Sequence, residues 1–84
     1  MKRAARLLML ARELRGEADR WTDPAVRVPL MTGSSQLLYA VASAYSNRPD
    51  RIAEVDALAE AAINILVTRM TQRAERELAK GATP

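Results

Sequence analysis

Residues 50–80 read DRIAEVDALAEAAINILVTRMTQRAERELAK, thirty-one positions with no proline or glycine to break a helix. Ile52, Val55, Ala59, Ala62 or Ile63, Leu66, Met70, Ala74 and Leu78 recur at close to 3.6 residues per turn, the spacing of one face of a packed α-helix rather than of a strict heptad zipper. In the middle, from Ala57 to Val67, a second stripe of Leu58, Ala61 and Ile65 beside Val67 leaves only the line Asp56, Glu60, Asn64 and Thr68 polar. A helix apolar around most of its circumference is buried on most sides. At 1.5 Å per residue it would run about 45 Å.

Upstream, Ala4, Leu7, Leu8, Ala11, Leu14, Ala18 and Trp21 alternate spacings of three and four, predicting a helix over about 2–21. Its opposite face carries Arg3, Arg6, Glu13, Glu17 and Arg20, which read as solvated, with Arg15–Asp19 and Glu17–Arg20 as local ion pairs. Thr22-Asp23-Pro24 closes it, because the residue before a proline is driven out of the helical region. DPAVRVPLMTG (23–33) holds two prolines and places Val26, Val28 and Leu30 at every second position, so 22–34 is predicted as a loop pinned by those side chains. A short strand pairing with a partner chain is the alternative there. Ser34 or Ser35 then caps a helix over about 35–47, bearing Leu37, Leu38, Val41, Ala42, Ala44 and Tyr45. Asn47-Arg48-Pro49 forms the turn into the long helix, and Gly81 is placed to follow its C-cap.

The fold expectation is therefore all-α, a single small three-helix domain with one long C-terminal helix. Eighty-four residues bury only about 60% of the surface that the unfolded chain exposes, so a chain of this size draws stability from some further source. There is no cysteine for a disulfide and no histidine or cysteine for a structural zinc site. Oligomerisation is the remaining common device. The first two helices, taken end to end, would cover one side of the third, and the uncovered side calls for another chain. The expectation is a helical-bundle homo-oligomer, dimer or tetramer, with Leu58, Ala62, Ile65, Leu66 and Met70 at the oligomer or partner interface.

The same residue types bear on activity. Without histidine and cysteine the chain lacks the usual general base and the most reactive nucleophile, and Asp50, Glu54, Asp56 and Glu60 read as solvated. Thr32-Gly33-Ser34-Ser35-Gln36 fits neither a phosphate-binding loop nor a nucleophile elbow. No enzymatic activity, cofactor or metal is expected. The apolar run near the N-terminus is cut by Arg12, too short for a signal peptide, and the longest nearly apolar stretch elsewhere is well short of the roughly 20 residues that span a bilayer. Together with the absence of cysteine this leads to an expectation of a soluble, cytoplasmic protein. Arginine outnumbers lysine eleven to two and alanine reaches sixteen, the bias of a GC-rich bacterial or phage genome.

Two functions compete. The leading expectation is a protein-protein interaction or regulatory module acting as an oligomer. The alternative is an oligomeric nucleic-acid-binding protein that contacts phosphates through Lys2, Arg3, Arg6, Arg12, Arg69, Arg73 and Arg76, with Lys80, favoured by a sequence pI of about 10. A helix-turn-helix reading is opposed by charge, since Asp50, Glu54, Asp56 and Glu60 against Arg51 would bring four acids and one base to a polyanion. Regional sums sharpen this: +3 over 1–20, +1 over 21–48, −3 over 49–68 and +2 over 69–84, basic ends around an acidic centre. Such a pattern suits packing between chains. An amphipathic first helix on an anionic membrane is a third reading, diluted by Glu13, Glu17 and Asp19.

Overall fold

The structure, a computed structural model, describes residues 3–46 and 49–82. Helix α1 spans Arg3–Ala18, α2 spans Pro24–Ser46, and a 3-10 turn, Pro49–Arg51, leads into α3, Ile52–Ala82. Among the described residues there is no strand. The three-helix, all-α expectation stands, and the boundaries change most at α2.

The predicted loop over 22–34 is instead the first half of a 23-residue helix. Asp23 is its N-cap: the Ala25 amide donates to Asp23 Oδ1 at 2.9 Å, while the amides of Val26 and Arg27 donate to the Asp23 carbonyl at 3.0 Å. Pro24 takes the first helical position, where a proline's missing N–H costs nothing and its fixed φ is already helical. Pro29 lies inside the helix and removes one backbone bond. What outweighs it is burial, because Val26, Leu30, Leu37, Ala40, Val41 and Ala44 all enter the core when the segment is helical. Ser34 and Ser35 are accordingly not caps. Ser34 is buried mid-helix and its hydroxyl donates to the Ala11 carbonyl of α1 at 2.7 Å.

Helix α1 stops at Ala18, three residues before the predicted end, in a tight turn where the Arg20 and Trp21 amides donate to the carbonyls of Glu17 and Ala18. Gly81 lies within α3 rather than beyond its cap. The Asn47-Arg48 turn lies outside the described residues.

Side-chain pairings give the topology. Arg3 pairs with Asp56 and Glu17 with Arg73, so α1 and α3 run parallel. Ser34 meets Ala11 midway along α1, and Ser43 meets Arg51 at the other end, so α2 runs antiparallel to both. The result is an up-down-up bundle 56 Å long and 27 by 16 Å across. Its core is one cluster drawn from all three helices, with Leu14, Leu30, Leu37 and Val55 its largest fully buried side chains. Helices of 16, 23 and 31 residues are about 24, 34 and 46 Å long, so α3 outruns its neighbours. From Ala74 to Gly81 all of its residues are exposed.

Candidate protein-interaction surface

Two of the five residues assigned from sequence to an interface belong to the chain's own core. Ala62 is 4% and Leu66 8% exposed, both packed against α1 and α2. The first two helices do not lie end to end along one side of α3; they lie side by side and cover two of its flanks. Leu58 is half-buried at the edge of the core, while Ile65 and Met70 are exposed. These last two sit on different flanks. Met70 shares a stripe with Ile63 and Val67 on the flank that carries Asp56, whereas Ile65 lies with Ala61 beside α2.

The α2–α3 seam is the more developed of these surfaces. A groove of about 410 Å³ runs along it, lined by Val28, Pro29, Thr32, Gly33 and Gln36 from α2 and by Leu58, Ala61, Ala62 and Ile65 from α3. No charged residue lines this central part. It continues at one end past Gln36 and Leu58 to Tyr39, Arg51 and Glu54, and at the other past Pro29 and Ile65 to Arg69 and Gln72. Small residues at Gly33, Ala61 and Ala62 keep its floor low.

The α2 side of the groove carries a signal that the sequence holds but that apolar periodicity alone does not reveal. Between Arg27 and Arg48 lie twenty consecutive residues without a charge, and Arg27 is the single charged residue of the whole of α2. A helix lying on a bundle normally shows water a charged face. Here Tyr39 is 72% and Val28 57% exposed, and Leu38 and Tyr45 are also open. The cores of known protein interfaces are depleted of charge and enriched in tyrosine. Among the described residues no helix is long and apolar enough to cross a membrane.

The α1–α2 seam also forms a groove, of about 460 Å³, lined by Leu8 and Leu38 over the buried Ala11 and Ser34. Arg12, Arg15 and Asp19 rim it, so it is a charged cleft rather than a dry seam.

The residues predicted to contact phosphate fall into two groups among the described residues. Arg3, Arg6 and Arg12 lie along α1, and Lys2 lies outside the described residues. Arg69, Arg73 and Arg76 lie toward the far end of the bundle, where intrachain partners engage them. Glu17, expected on a solvated face, is only 4% exposed and receives Arg73 through two hydrogen bonds, Nε to Oε2 at 2.9 Å and Nη2 to Oε1 at 3.0 Å. Trp21 Nε1 donates to the same Oε2 at 2.9 Å. The Arg73 hydrogen bonds hold the Glu17 carboxyl below its ordinary value against the opposing effect of burial, and Glu17 in turn raises the Arg73 guanidinium. Arg69 and Arg76 stand 5.9 and 5.2 Å from the centroid of the Trp21 ring, within cation–π range. Trp21 thus serves as a clasp between the α1–α2 turn and α3, with its ring facing two guanidinium groups.

Apart from Arg3–Asp56, which ties α1 to α3, the other ionic contacts lie closer in sequence. Arg51 makes a bidentate pair with Glu54, which raises its guanidinium further, and it also donates to Ser43 at 3.2 Å. Asp19 lies 3.8 Å from Arg27 of α2 rather than on Arg15. Among the described residues, no buried side-chain polar atom lacks a hydrogen-bond partner, and no group of three or more His, Cys, Asp or Glu side chains is placed to hold a metal ion.

Comparison with known proteins finds no match to a protein-family model, to a curated protein or to a solved structure.

Proposed function

We propose that this protein is a non-enzymatic interaction module that presents the uncharged α2–α3 face to another helical chain, in keeping with the regulatory role expected from sequence. One observation carries the reading: α2 is largely exposed along its outer side, yet has no charge after Arg27. Leaving the apolar surface of Val28 and Tyr39 in water is unfavourable at about 25 cal/mol per Å², and a partner that covers it removes that cost. The groove beside it offers a seat for a ridge of side chains, the geometry by which helices pack. The chemistry of the chain agrees, since Glu17, Arg51 and Arg73, whose acidities are displaced, are engaged in structural ion pairs and none of the three lines the uncharged centre of the groove.

The nucleic-acid alternative draws less support. Its proposed phosphate contacts are divided between α1 and the distal half of α3, and three of them hold Glu17 or Trp21. The test is site-specific photo-cross-linking in extract of the source organism. A photoreactive residue at Tyr39 or Ile65 should capture a protein, and one at Glu13 on the outer side of α1 should not. Equal capture from all three positions, or none from any, overturns the proposal.

A further inference from the structure

Independently of the α2–α3 face, we infer that the arginine cluster around Trp21, at the far end of the bundle, binds the sugar-phosphate backbone of nucleic acid without reading its bases. Five guanidinium groups converge on the turn that joins α1 to α2. Arg73 meets the Glu17 carboxylate, Arg69 and Arg76 stand over the Trp21 ring, and Arg27 donates to the Trp21 carbonyl at 3.4 Å. Arg20, in the turn itself, adds its positive field at Glu17. Two acids answer these five bases, Glu17 on Arg73 and Asp19 at 3.8 Å from Arg27, which leaves a sum of +3. Counting Asp23, the cap of α2, leaves +2. Glu77 pairs with Lys80, and Glu75 lies two positions beyond Arg73, about 200° round α3.

The intrachain contacts do not exhaust these groups. A guanidinium has five N–H donors. Arg73 gives two bonds to Glu17 and Arg69 one to Gln72, while the Trp21 ring attracts the charges of Arg69 and Arg76 but offers them no oxygen. The fork of a guanidinium matches the oxygens of a phosphate. Glu17 and Trp21 also fix where the arginines stand, so less side-chain freedom is lost when an anion arrives. Arg20, Arg76 and all of 74–81 are exposed, an open surface on which a long line of charge can lie. Nucleic acid has that form, and it releases condensed counterions where cations meet its phosphates. The acids in the first half of α3 do not oppose the contact: Glu60 is nine residues from Arg69, about 13 Å along the helix, beyond the Debye length of about 8 Å at physiological salt. Arg3, Arg6 and Arg12 take no part, so the contact is limited to about two or three phosphates and accompanies the protein-interaction role.

The experiment is fluorescence anisotropy of a labelled DNA duplex of about 20 base pairs with the purified full chain, at salt from about 50 to about 200 mM. Two to three phosphate contacts predict that affinity falls about 10- to 40-fold over that range. The double substitution Arg69→Gln with Arg76→Gln should weaken low-salt binding about tenfold or more and flatten the salt dependence. The charge-matched control, Arg6→Gln with Arg12→Gln on α1, should stay within about twofold of the native chain. Circular dichroism checks the fold of each, and should the first pair lose helix, Arg76→Gln alone is read for a loss of about threefold or more. No binding at the lowest salt, the same loss from both double variants, or equal competition by polyglutamate of matching charge overturns the inference. None of these outcomes bears on the α2–α3 face, which is tested separately by cross-linking from Tyr39 and Ile65.

Discussion

Replacing Glu17 by glutamine tests whether the long helix is fixed to the bundle by a buried ion pair. The carboxylate of Glu17 accepts two hydrogen bonds from Arg73 and one from Trp21, and it is almost wholly removed from solvent. Glutamine keeps the shape and one oxygen, but it loses the charge and presents an amide N–H₂ to a guanidinium that can only donate. Hydrogen bonds to charged groups are worth about 1.5–3 kcal/mol, and the partly exposed Arg73 can recover some of its solvation, so Glu17→Gln should cost about 1–2 kcal/mol at neutral pH. For a domain of this size that lowers the thermal midpoint by about 5–15 °C. The acid response is more diagnostic. Folding holds the Glu17 carboxyl below its ordinary 4.5, so the pair stabilises the protein at every pH above that value, and this contribution disappears as pH falls through the folded-state value. Thermal unfolding by circular dichroism from pH 7 to pH 2.5 should therefore show native and variant curves converging below about pH 4.5. Trp21 fluorescence, reporting on the indole bonded to Glu17, should follow. Equal midpoints at pH 7, or a gap that does not close in acid, would refute the assignment.

Leu66→Ala should cost about 2–4 kcal/mol, whereas Ile65→Ala, one position along, should change the unfolding free energy of the monomeric chain by under about 1 kcal/mol, as chemical denaturation would show. Removing the cap of α2 with Asp23→Ala should cost about 1 kcal/mol in the same assay. Pro29→Ala restores a backbone donor inside α2 and should raise the thermal midpoint, by the equivalent of about 1 kcal/mol or more. A lowered midpoint would mean that α2 depends on the proline. Ser34→Ala should weaken the α1–α2 contact by about 1 kcal/mol through loss of its hydroxyl bond to Ala11.

The ends of the chain were legible because their apolar periods are long and unbroken, from Ala4 to Ala18 and from Ile52 to Leu78. In the first half of α2 the local signals and the burial pattern point in different directions. Val26, Val28 and Leu30 alternate like a strand, with Pro24 before them and Pro29 among them. The wider set Val26, Leu30, Leu37, Val41 and Ala44 is the buried line of a helix, and Asp23-Pro24 is a cap followed by a first-turn proline. The burial of Glu17 is not legible locally, because its partner Arg73 is 56 positions away. For the candidate surface, apolar periodicity found α3 but could not separate Leu66, which faces the chain's own core, from Ile65, which faces outward. Adjacent positions on a helix differ by about 100°, so that division depends on where the neighbouring helices lie. The absence of charge from Val28 to Asn47 was visible in the sequence throughout, and it marks the surface more directly than periodicity does.

That uncharged run also bears on how the chain reaches its folded state. Synthesis delivers α1, then the twenty residues without a charge, and only afterwards the helix that closes the bundle over one side of them. Until α3 has emerged and docked, a stretch containing Leu30, Leu37, Leu38, Tyr39 and Val41 has no charged gatekeeper between Arg27 and Arg48 to discourage contact with neighbouring nascent chains. The period of greatest aggregation risk is thus set by the time needed to synthesise α3, and slow translation of residues 49–82 would lengthen it.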